Sequence, residues 1–166
     1  MPNYHDELIW AYDGEVLGEA MFGSMASRMD DPTRARQMAV MALLERQTRD
    51  HLGRLLAREG ISRDDARPSA KGAELGERSA RANWHRFLDS FAPLTSEALV
   101  RYHTMRDELA PEADRPTMNA LVTHEEVLAA YAERAIAGET NPAAPVVDAL
   151  EGANQTIARL LVGGTT

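Results

Sequence analysis

Apolar residues recur every three or four positions along most of this chain, the spacing of helices that bury one face. Over residues 4–28, Leu8, Ile9, Tyr12, Val16, Glu19, Phe22 and Ala26 define one face about seven turns long. The segment "MDDPT" then supplies acids and a proline suited to a helix start. Met38, Met41, Glu45, Thr48, Leu52 and Leu55 form the next stripe, which Gly60 closes as the residue after a helix end. So short a connection predicts two antiparallel neighbours.

A third helix is expected over about residues 70–91, with Glu77, Ala80, Trp84, Phe87 and Phe91 on one face. Pro93 is expected to interrupt it, and Thr95 or Ser96 to cap a new start for Ala98, Leu99, Tyr102, Met105 and Leu109. A further helix should begin near Pro116 and Thr117 and run to Ala137, before Gly138. Its face reads Met118, Leu121, His124 or Glu125, Leu128, Tyr131 or Ala132, and Ala135. After "ETNPAAP", Val146, Val147, Leu150, Ala153, Ile157, Leu160 and Leu161 predict a last helix over about residues 143–162, with "VGGTT" as a frayed end.

These elements predict an all-α chain: an antiparallel four-helix bundle with an additional C-terminal helix. Residues 1–166 read as a single domain, with the core bundle at about 4–137. Gly14, Gly18 and Gly23 each cost a helix interior about 1 kcal/mol relative to alanine, so close approach of a neighbouring helix is expected there.

Composition narrows the chemistry. Aromatics make up only 5% of the chain, while alanine, leucine, glutamate and arginine abound, which favours helices over strands. With no cysteine, thiolate nucleophiles and thiolate metal sites are excluded, leaving His, Asp and Glu as strong ligands. A net charge of -8 argues against a nucleic-acid partner. No apolar run approaches the roughly 20 residues of a membrane span, and "MPNYHDELIW" is unlike a signal peptide, so a cytoplasmic protein without a membrane partner is expected.

Four helices each carry a glutamate on an apolar stripe: Glu19, Glu45, Glu77 and Glu125. Buried carboxylates need a metal, a shared proton or an arginine. Arginine is plentiful, and the same acids could pair with Arg34, Arg36, Arg46, Arg49, Arg78, Arg81 or Arg86 at the edges of their stripes. In helical bundles a dinuclear metal site is a well-attested solution.

At these residues the chain resembles the ferritin-like superfamily. "YDGEVLGEAMF" places Glu19 in the first-helix ligand position, and "ALLERQT" supplies Glu45. Thr48 and Leu128 stand where the family's two Glu-x-x-His motifs have histidine, and "LVTHEEVLAAYAE" offers His124 beside Glu125 as a substitute. The resemblance implies a candidate metal set of Glu19, Glu45, His124 and Glu125, supported by Thr48 and Glu77, with iron or manganese as the metal. It implies either a bundle whose metal site is atypical or lost, acting as a binding or assembly module, or a di-iron or di-manganese carboxylate oxidase or metal-storage protein. A homo-oligomer is expected through the apolar side of the C-terminal helix. A DinB-like site would draw on His51, His103 and His124, but the paired histidines one turn apart are missing. His51 lies about 120° around its helix from Glu45, off the inward face.

Overall fold

The computed structural model describes residues 3–163, so residues 164–166 of the expected frayed end lie outside it. Among the described residues there are seven α-helices, a π-helical turn, a 3-10 turn and no strand. Helices α1 (Tyr4–Arg28) and α2 (Pro32–Arg58) span the ranges their stripes predict. Asn3 caps α1 by accepting the Asp6 N–H at 2.9 Å. Asp31 caps α2 through the N–H groups of Thr33 and Arg34, while Pro32 fills a first-turn position that needs no donor. Gly60, at φ +71°, lets Ile61 donate back to the Leu56 carbonyl at 2.9 Å and so ends α2.

The two helices are antiparallel: Tyr12 meets Gly53, and Glu19 meets Arg46. Helix α3 (Ala66–Arg81) packs on α1 in the same direction, Gly72 lying over Leu17 and Gly76 over Met21. A β-carbon on Gly72 would fall 2.9 Å from the Leu17 carbonyl carbon, and one on Gly76 would fall 2.7 Å from the Ser24 β-carbon. The closest helix approach therefore uses glycines of α3, not those of α1. Gly23 faces open space, and the room beside Gly18 is filled by the Glu45 carboxyl group.

Helix α4 (Trp84–Thr104) runs straight through Pro93, and the break expected there falls instead at Ala82–Asn83. Asn83 accepts the N–H groups of His85 and Arg86, making a new start. Pro93 and Asp89 are exposed, so the Asp89 carbonyl that Pro93 leaves without a donor turns to water. Phe22 packs on Phe91 and Trp10 on Tyr102, which sets α4 antiparallel to α1.

After the π-helical turn Met105–Leu109 and the 3-10 turn Glu112–Asp114 comes α5 (Arg115–Ile136), packed on α4 and α2. Tyr131 bonds to Gln37, and Thr48 meets His124, so α5 runs antiparallel to α2. Helices α2 and α4 thus point the same way, and α3 is the segment that carries the chain back between them.

The expected C-terminal helix is two helices, α6 (Ala144–Ala149) and α7 (Gly152–Gly163). Gln47 of α2 holds the joint, donating to the Ala149 carbonyl at 3.1 Å and accepting the Glu151 N–H at 2.8 Å. These bonds satisfy backbone groups that a continuous helix would have paired internally. Among the described residues no helix is long and apolar enough to cross a membrane.

Candidate metal centre

The core has two apolar clusters. One gathers Phe22, Met38, Met41, Leu44, Leu128 and Tyr131, and the other Leu8, Leu52, Leu56, Tyr102, Met118 and Leu121. Between them lies a polar layer: Glu15 of α1, Glu45 and Thr48 of α2, and His124 and Glu125 of α5, none more than 6% exposed. Helical spacing explains its depth. Glu15 lies on the buried face made by Leu8, Ala11, Gly18, Phe22 and Met25. Glu45 follows Leu44, and Thr48 stands one turn further on. Leu121 and Leu128 anchor α5 on either side of His124 and Glu125.

His124 is the centre of the layer. Its Nε2 lies 3.3 Å from Glu15 Oε2, 3.7 Å from Glu45 Oε1 and 4.0 Å from Glu125 Oε2. One ligand atom each from Glu15, Glu45 and His124 lies within 4.8 Å of the others. On the opposite side of the ring, Thr48 Oγ1 is 2.9 Å from Nδ1. That contact fixes the ring plane and leaves Nε2 aimed at the carboxylates.

Among the described residues no lysine or arginine joins this layer, and its electrostatics follow. Burial pushes Glu15 well above the ordinary carboxyl range, and the neighbouring Glu45 and Glu125 push it further, while Tyr102 acts in the opposite sense. Glu45 is also raised, first by burial. Burial alone lifts Glu125 from 4.5 to about 8 and lowers His124 to about 3, so the imidazole is neutral at pH 7. Tyr102, buried against the same acids, is pushed far up and stays a neutral phenol. Without a cation, protons must hold the charge of the layer down.

Of the residues the sequence nominated, Glu45, His124, Glu125 and Thr48 are brought together. Glu19 is not in the layer: it accepts from Arg46 at 2.7 Å and pairs with Arg49. Glu77 is also outside, half-exposed and paired with Arg81 one turn along α3. His51 faces Glu151 at 3.7 Å, and His103 accepts from Arg106 at 3.0 Å, so the three histidines of a DinB-like site do not converge.

Glu15 is the member that stripe reading missed. The stripe drawn through Tyr12 and Glu19 follows bulky residues, whereas the buried face passes through Ala11 and Gly18. Gly18 is the trace left in the sequence: a β-carbon there would lie 2.6 Å from Glu45 Cδ.

The donor set fits a divalent cation. Two donors sharing one ion at about 2.1 Å lie roughly 3 to 3.5 Å apart, close to the spacings of Glu15 and Glu45 from His124. Glu15 Oε2 is buried without a hydrogen-bond partner, a costly condition that a cation would relieve. Carboxylates with one imidazole suit iron, manganese or zinc rather than soft ions. Comparison of the chain with protein-family models, curated proteins and solved structures found no match.

Proposed function

We propose that this chain is a ferritin-like bundle of α1, α2, α4 and α5 carrying an atypical carboxylate site for one iron or manganese ion. Glu15, Glu45 and His124 are the ligands, and Glu125 is a fourth donor within reach. The observation that carries this reading is the buried, unpartnered Glu15 oxygen facing a neutral imidazole, with no lysine or arginine in the layer among the described residues. The parallel course of α2 and α4, joined by a crossover through α3, supports the ferritin-like reading, because such bundles have one long crossover.

Within the site each residue has a defined task. The Glu15 and Glu45 carboxylates neutralise the ion. Thr48, in the position of the missing histidine, accepts the Nδ1 proton of His124 and holds Nε2 as the donor. Tyr102 closes the α4 side as a neutral phenol where a second carboxylate half-site would need an acid. A bound iron or manganese supplies Lewis-acid or redox chemistry at this point. The absence of histidine at Thr48 and Leu128 favours this single-ion site over a di-iron oxidase or a storage centre. A second copy of the chain is the partner expected at α7, where Ile157 and Leu160 are 45% and 75% exposed.

The test is elemental analysis after chelation and anaerobic loading with Fe(II) or Mn(II). Wild type should retain an equimolar amount of metal, Glu15→Gln and Glu45→Gln should lose it, and Glu19→Gln should keep it. Metal-free wild type, or equal loss in Glu19→Gln, would refute the assignment.

A further inference from the structure

We propose that the cleft between α1 and α3 binds a small aromatic anion, an aryl carboxylate or aryl phosphate, which packs on Trp10 and is held by Arg67 and Lys71. The cleft is open to solvent and offers about 520 Å³, within the range of small-molecule sites. Trp10 is 38% exposed yet fixed in place: Arg101 lies 3.5 Å above its ring, and Tyr102 packs on its edge. Leu17 and Pro68 add apolar wall.

The cleft's charges are unequally engaged. Asp13 is taken by Arg63 at 2.6 Å, and Asp64 accepts the Ala66 N–H at 3.0 Å. Arg67 and Lys71, one turn apart on α3, have no carboxylate partner among the described residues. With Asp13 paired to Arg63, Arg67 and Lys71 outnumber the remaining Asp64 carboxylate, and this local excess of positive charge beside an aromatic wall favours an anion with a flat apolar body. Gly14 lines the cleft, and a β-carbon there would meet no neighbour closer than the Tyr102 hydroxyl at 4.0 Å.

Trp84→Phe leaves Trp10 as the only tryptophan of the chain, and its fluorescence reports occupancy directly. Benzoate and phenyl phosphate should each give a saturable change, and their relative affinity identifies the preferred anion, whereas acetate and benzylamine should not. Arg67→Glu and Lys71→Glu should each weaken binding at least about tenfold. Gly14→Leu should abolish it while far-UV circular dichroism stays unchanged. Glu45→Gln should bind the aryl anions as wild type does, which separates this site from the metal centre. No saturable response to either aryl anion, an equal response to benzylamine, or unaltered affinity in Arg67→Glu would overturn the proposal.

Discussion

Replacing Glu125 by glutamine should make the metal-free protein more stable in alkali while changing it little in mild acid. The Glu125 carboxyl titrates near its ordinary 4.5 in the unfolded chain and near about 8 when folded, because burial disfavours the ion. Between those values the unfolded chain has released a proton that the folded chain keeps, so stability falls as pH rises. Below the window both states are protonated and nothing is lost; above it both are ionised and the full cost is present. At roughly 1.4 kcal/mol per unit the window is worth about 5 kcal/mol, an upper limit because water entry and relaxation reduce it. That is comparable to the whole stability of many small domains, about 5 to 15 kcal/mol.

Glutamine fills the same volume without the charge, so its advantage should begin near pH 4.5 and saturate near pH 8. His124 has the opposite sign. Its folded value of about 3 against an ordinary 6.5 makes stability fall as pH drops through that range, equally in both proteins, so it cancels from the difference. Urea unfolding of chelator-treated protein, followed by far-UV circular dichroism from pH 5 to pH 9, measures the gap. A gap that stays constant with pH, or wild type gaining on the variant as pH rises, would refute the reasoning.

Three further outcomes follow from the same geometry. Thr48→Val removes the oxygen that orients His124, and should weaken Mn(II) affinity, measured by calorimetry, about 10- to 100-fold while the fold persists. Gly18→Ala drives a β-carbon into the Glu45 carboxyl group and should abolish retention of metal at the proposed site, even though alanine improves helix propensity by up to about 1 kcal/mol; equimolar metal in the variant as in wild type would contradict the contact. Gly76→Ala pushes α3 off the α1 backbone and should lower unfolding free energy by about 1 to 3 kcal/mol, the usual cost of overpacking, whereas a gain in stability would show that α3 is free to shift.

Much of the helical framework was legible in the sequence because its signals are local. The acids and proline of "MDDPT" start α2, and Gly60 ends it. The apolar stripes of α1 and α5 give their extents. The same locality misled at Pro93, where a strong breaker was tolerated because the carbonyl it orphans faces water, while the quieter Asn83 supplied the cap. It misled again at the C-terminus, where a single apolar stripe is divided by bonds from Gln47 of a distant helix.

The sequence by itself determined that carboxylates sit on the apolar faces of α2 and α5, and that one imidazole accompanies them on α5. It could not decide which carboxylates meet. Glu15 and Glu19 are one turn apart on α1, and the stripe drawn through the bulky residues takes in Glu19 and passes over Glu15, although Glu15 is the one that is buried. What separates them is the axial register of α2 against α1, which sets Arg46 and Arg49 beside Glu19, and Glu45, His124, Glu125 and Tyr102 beside Glu15. That register is fixed by contacts between residues far apart in the chain, and only the packed structure contains it. A glutamate with cations at hand becomes an ordinary ion pair, and one without them is a buried carboxyl group that burial holds toward its protonated form.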